Sequence, residues 1–101
     1  MPLAVRQQKV RWLIACANLQ WPVDLSTALY IAERESHLDP FALNESSGCA
    51  GVFQFARGTF ASLVDSWPRM NRWTGTWVFS ARANVLRAIR LAHESGWGPW
   101  Q

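Results

Sequence analysis

Apolar residues recur three and four apart along much of this chain, and the spacing divides it into helices separated by breaks rich in glycine, proline and asparagine. Val10, Leu13, Ile14 and Ala17 form one face and predict a first helix from Arg6 to about Leu19, stopped at Trp21-Pro22. Ala28, Ile31 and Ala32 form a second stripe, on a helix that Ser26 can cap and that runs to about Ser36, closed by Asp39-Pro40. From His37 to Gly51 the chain turns polar, with Asn44-Glu-Ser-Ser-Gly48 as its strongest turn signal, so an irregular loop or short ribbon is expected between Ser36 and Phe55. Thr59 can cap a third helix through Trp67, ended by Pro68, whereas Trp73 to Phe79 fits neither period. Ser80 opens a last helix that reaches about Ser95 and meets Gly96, suited to a left-handed cap, before Gly98-Pro99 forces a turn. A mainly α domain of about four to five helices follows.

One position breaks the pattern. Glu35 lies seven residues after Ala28, four after Ile31 and three after Ala32, so helical spacing puts an acid on the apolar stripe. Desolvation and the negative end of the helix dipole would both favour its protonated form, which suits a group that must hold a proton near neutral pH. Pairing with an arginine is the structural alternative. Glu33 points to the opposite side and is expected to be solvated.

With 101 residues, half of them hydrophobic and seven of them tryptophan, the chain has material for one dense core and is expected to form a single domain over 1–101. Most of the tryptophans, Trp12, Trp67 and Trp73 among them, are expected in that core, while Trp97 and Trp100, beside glycines, are candidates to line a cleft. No apolar run reaches membrane-spanning length, and Met1 to Val5 lacks the features of a secretory signal, so export by a holin, a virion or a parent chain is expected. The net charge of +3 comes almost wholly from arginine, Lys9 being the only lysine. Arg82, Arg87 and Arg90 are read as a solvated helix face and not as a nucleic-acid surface. Cys16 and Cys49 are expected as buried free thiols, with pairing left open, and with His37 and His93 they lack the spacing of a metal site, so neither metal nor cofactor is expected.

Cleaving a glycosidic bond requires a proton for the departing oxygen and a way to stabilise or trap a positively charged sugar ring. Glu35 can supply the proton, and the loop after it, with Gly48, Ala50 and Gly51 allowing close backbone approach and Gln54 offering an amide, can wall a cleft. The run from Ile31 to Phe55, with Glu35-Ser36, then Ser47-Gly48-Cys-Ala50-Gly51-Val52-Phe53-Gln54, resembles the signature of the soluble lytic transglycosylases and goose-type lysozymes. Ala83-Asn84-Val85 resembles that family's late Asn-Ile element, and Gly96-Trp97-Gly98-Pro99-Trp100 the ending of short phage-borne versions.

The resemblance implies a lysozyme-like fold with a sugar-binding cleft, Glu35 as the catalytic acid, and Ser36, Ser47, Gly51, Val52, Phe53, Gln54, Asn84 and Trp97 as substrate-binding or site-orienting residues. It implies peptidoglycan glycan strands as the partner; a phage lysin, a virion part such as a larger tail protein, and a bacterial remodelling enzyme stay open as the setting, with small size and the short ending favouring a phage. Val52 and Phe53 stand where the family has Leu and Met, and its Ala-Tyr-Asn element has no counterpart, Tyr30 being misplaced for it. Asn84 shares a helical stripe with Ala88, Leu91 and Ala92, so its amide should face inward, either to sugar or to tie the helix to the central loop. Phe53 and Phe55, if the stretch is extended, point away from Gln54. In the mechanism implied, Glu35 protonates the bridging oxygen and then removes the C6 hydroxyl proton, leaving an anhydro sugar. A hydrolytic lysozyme would need a second carboxylate about 6.5–9.5 Å away, for which Asp39, Glu45 and Asp65 are the candidates. A non-catalytic peptidoglycan-binding module is the rival of a different class.

Overall fold

A computed structural model describes residues 1–56, 58–60 and 78–100. The domain is mainly helical, and the helices fall where the apolar spacing puts them. Helix α1 spans Leu3–Gln20 and buries Val10, Ile14 and Ala17. It starts three residues before the expected Arg6 because Pro2 already holds φ at −62° and its carbonyl accepts from Val5 and Arg6, as a proline just outside a helix can. At its other end the Asn18 Oδ1 accepts from the Val23 backbone at 2.7 Å and folds the chain back across Pro22.

Helix α2 spans Leu25–Ser36 and buries Ala28, Ile31, Ala32 and Ser36. Its N-cap is Asp24 and not Ser26. The Asp24 carboxylate accepts from the Ser26 and Thr27 hydroxyls at 3.0 and 2.8 Å, and those bonds hold its pKa below the ordinary aspartate value. The helix ends in a left-handed cap, with His37 N–H on the Glu33 carbonyl, and Leu38 N–H reaches the Ala32 carbonyl. His37 and Leu38 both take positive φ, 55° and 59°, where glycine is the usual occupant. Burial of Leu38 in the core holds this turn in place.

Helix α3 spans Ala81–Ser95, capped by the Ser80 hydroxyl accepting from Ala83 N–H at 3.2 Å, as the sequence predicts. Gly96 closes it with positive φ, but its ψ of −175° is extended where a left-handed helical value was expected. A 3₁₀ turn, Gly98–Trp100, follows. Residues 58–60 are helical, so Thr59 lies inside a helix and does not cap it. The expected course of that helix to Trp67, the ambiguous Trp73 to Trp77 stretch and the candidate acid Asp65 lie outside the described residues.

Helix α1 packs against both α2 and α3. Val10, Ile14, Ala28, Ala32, Val52, Phe53, Phe60, Val85 and Ile89 meet in one core. Two expectations fail at its edges. Trp12 is 66% exposed, because its position on α1 lies off the Val10-Ile14-Ala17 stripe. Arg87 is fully buried instead of solvated, with its guanidinium 4.4 Å from the centre of the Phe60 ring. Burial lowers its pKa. Its place three residues after Asn84 and four after Ala83 is the signal for this: α3 is buried around most of its circumference, so a residue beside the stripe is covered too. Cys16 and Cys49 are free thiols, half-buried where full burial was expected. Among the described residues no helix is long and apolar enough to cross a membrane.

Candidate active site

Glu35 occupies the last turn of α2, at the negative end of the helix dipole. The dry surroundings expected of it are absent: its side chain is 28% exposed, and one carboxylate oxygen accepts from Arg34 Nε at 3.1 Å. The stripe that carries Glu35 runs out at the helix end, where its carboxylate reaches the surface while Ser36 and Leu38 enter the core. An acid at the rim of the core, held by a guanidinium, is what the structure has here.

Ser36 faces inward. Its hydroxyl lies 2.7 Å from the Val52 carbonyl and 3.1 Å from the Ala32 carbonyl, and it joins the end of α2 to the glycine-led segment sixteen residues on. That segment is not an extended strand. Residues 51–54 form a turn, Gln54 N–H to the Gly51 carbonyl at 3.2 Å, closed by paired bonds between Ala50 and Phe55. Gln54 takes φ of 54°, so Phe53 and Phe55 do not alternate around it as expected, and both rings enter the core. A second bridge, Leu43 to Ala50, and an Asn44 turn whose Oδ1 accepts from Ser46 and Ser47 complete the short irregular ribbon.

Asn84 on α3 is the other anchor. Fully buried, its Oδ1 accepts from Phe53 N–H at 2.8 Å, and its Nδ2 donates to the Val78 carbonyl at 3.0 Å and towards that of Ala50 at 3.4 Å. Of the two readings of this residue the geometry supports the tie from helix to loop, since no part of the amide is left for sugar. Gly51 is its necessary partner. At φ of 84° it sits so close that an added Cβ would lie 2.1 Å from Asn84 Nδ2 and 2.6 Å from the Val78 carbonyl. The close approach expected there to a ligand is made to the protein itself.

Trp100 supplies the third tie. Its ring Nε1 donates to the Phe53 carbonyl at 2.9 Å, and its edge meets Phe53 and Phe55. Trp97 lies half-buried beside it, stacked on Phe53 with ring centres 6.4 Å apart. Of the residues expected to touch substrate, Ser36, Gly51, Val52, Phe53 and Asn84 are therefore buried, in or behind the 51–54 turn. They are spent on the protein because so short a ribbon leaves buried polar backbone groups that need partners from the helices. Gln54, Ser47 and Trp97 remain at or near the surface. The amide nitrogen of Gln54 donates to the Ala42 and Gly51 carbonyls at 3.2 and 3.0 Å.

The candidate second carboxylates stand apart from Glu35 in their bonding. Asp39 meets Arg6 Nε at 3.4 Å and accepts from Phe41 N–H at 3.0 Å, as a turn residue does. Glu45 is exposed in the Asn44 turn. Arg34, which the sequence does not mark as functional, also enters the site on the carboxylate, and Trp100, expected as a candidate to line a cleft, is instead buried in the core, where its carbonyl receives the Arg34 guanidinium. A family model described as the transglycosylase SLT domain matches residues 13–88 of this chain. Searches of curated proteins and of solved structures gave no match.

Proposed function

The chain belongs to the transglycosylase SLT domain family, which implies lytic transglycosylase-type action on peptidoglycan of the cell wall, and from that premise we propose that Glu35 is its catalytic acid and base. The bond cut is the β-1,4 link between N-acetylmuramic acid and N-acetylglucosamine, with residues 1–101 acting as one catalytic domain. Glu35, as a carboxylic acid, gives its proton to the bridging oxygen as the C1–O bond breaks. The resulting carboxylate then takes the proton of the muramic C6 hydroxyl as O6 attacks C1. A 1,6-anhydro end forms, no water is consumed, and the acid is restored. Internal attack draws on a high effective concentration and needs one carboxylate only.

The observation that carries this reading is the bond from Ser36 to the Val52 carbonyl. It ties the residue after the acid to the 51–54 turn, which Asn84 and Trp100 hold from behind, so the helix end that carries the acid and this turn are linked. The Gln54 carbonyl oxygen, the proton of the Ser47 hydroxyl, whose oxygen accepts from Cys49 N–H at 3.2 Å, and the outer side of Trp97 are the groups left for sugar. Asp39 is engaged by Arg6 and Phe41 as a turn residue, and internal attack needs no second carboxylate to activate water.

Two measurements test the reading. Glu35→Gln should abolish clearing of a cell-wall suspension while the variant still sediments with walls; equal clearing by both forms removes Glu35 from the mechanism. Mass spectrometry of released muropeptides should find anhydro ends. Reducing ends, heavier by one water, would show a hydrolytic lysozyme, and binding with no cleavage by the unmodified protein would show a holding module.

A further inference from the structure

Arg34 and Glu35 are neighbours in sequence on a helix, and side chains one residue apart diverge by about 100° instead of facing each other. Their 3.1 Å contact therefore needs a cause outside the helix. The cause is at the other end of the chain: Arg34 Nη2 donates to the backbone carbonyl of Trp100. The same guanidinium lies 6.0 Å from the centre of the Tyr30 ring, one turn back. It is thus held on three sides, by a ring, a carbonyl and the carboxylate. Trp100 is itself fixed through its indole bond to Phe53, in the turn that Ser36 ties to α2. Acid, guanidinium, C-terminal turn and glycine-led turn form a closed circuit.

We propose that Arg34 is the positioning residue of this site: clamped by the Trp100 carbonyl, it fixes the rotamer of the Glu35 carboxylate at the end of α2. The inference rests on the reading of Glu35 as the acid. A glutamate with three rotatable bonds at the rim of the core has little else among the described residues to orient it, and misplacement of a catalytic group by about 1 Å can cost on the order of 100-fold in rate. The planar fork of arginine can serve two acceptors at once, here Nε to the carboxylate and Nη2 to the carbonyl, which the single ammonium of lysine does less well. The Gly98–Trp100 turn then acts in catalysis through its backbone, apart from any contact of Trp97 with sugar.

The test uses the whole chain and soluble peptidoglycan glycan strands, with Arg34→Ala, Arg34→Lys and Glu35→Gln measured together. Arg34→Ala should lower kcat at least about 10-fold with KM within about two-fold, since what is lost is alignment in the transition state and not ground-state binding. Arg34→Lys should recover part of that rate. The side chain is 41% exposed, so both variants should melt within a few degrees of the unmodified protein, and a merely structural role would not move kcat alone. An Arg34→Ala protein with full kcat, beside an inactive Glu35→Gln, overturns the role of Arg34 and leaves the acid standing. A rise in KM at constant kcat overturns it too, by making Arg34 a substrate ligand. An active Glu35→Gln removes the acid, and the premise with it.

Discussion

Replacing Asn84 by alanine separates a buried tie from a sugar contact more sharply than any other change. In the folded protein the amide is wholly buried and serves Phe53 N–H at 2.8 Å and the Val78 carbonyl at 3.0 Å. The Ala50 carbonyl, 3.4 Å away, keeps its bond from Phe55 N–H and loses little. Truncation leaves one buried donor and one acceptor without these partners, at about 1–3 kcal/mol for the donor and somewhat less for the carbonyl. A small cavity adds about 1 kcal/mol. The expected loss is about 3–5 kcal/mol, a large share of the 5–15 kcal/mol typical of a domain. With a urea slope of about 1–3 kcal/mol per molar, the midpoint of unfolding followed by far-UV circular dichroism should fall by more than about 1 M. Asn84→Asp keeps an oxygen for Phe53 but turns another towards the Val78 carbonyl, so it should be destabilised as well. A variant of undiminished stability that no longer sediments with cell walls would refute the reasoning, because the amide would then face the glycan.

Gly51→Ala should destabilise by at least about 2 kcal/mol in a thermal melt, since the new Cβ would lie 2.1 Å from Asn84 Nδ2 at a φ of 84°; a melt unchanged from the unmodified protein would mean that the α3 tie can shift aside. Ser36→Ala removes the 2.7 Å bond to the Val52 carbonyl and should cost about 1–2 kcal/mol of stability together with part of the wall-clearing rate, and full activity at reduced stability would uncouple the 51–54 turn from the acid. Asp24 titrates below its ordinary value because Thr27 and Ser26 donate to it, so its contribution is present above that value and is lost as pH falls through the lowered one. The stability gap between the unmodified protein and Asp24→Asn, measured by urea unfolding, should thus be full at pH 6 and close below about pH 4; a gap that widens in acid would contradict it.

Much of the helical frame is legible from spacing alone. Val10, Ile14 and Ala17 mark α1, and Ser80 caps α3 where its hydroxyl is read to. The polar run after Ser36 becomes the expected irregular ribbon, its Asn44 turn included. The misreadings share a cause. Glu35 and Ser36 are adjacent, and periodicity favours Glu35 for the interior, yet Ser36 is the one buried. Short and able to satisfy its hydroxyl on two carbonyls, serine enters the core at little cost, while a carboxylate at a helix end extends to water and a guanidinium. Arg87 errs the other way: its charge suggests solvent, but the Phe60 ring and the surrounding core cover it.

What the sequence by itself determined is local: where helices run to within a few residues, which stripe each buries, and the run of residues 13–88 that matches the family. Those properties depend on residues a few positions apart, whose relative placement the backbone period dictates. Which groups would stay spare for a ligand was decided only in three dimensions. Asn84 reaches Phe53, Trp100 reaches both Phe53 and Arg34, and Ser36 reaches Val52, across separations that no period encodes. A buried polar atom must find a partner wherever the fold supplies one, so the site was completed by the demand for hydrogen bonds in the packed interior.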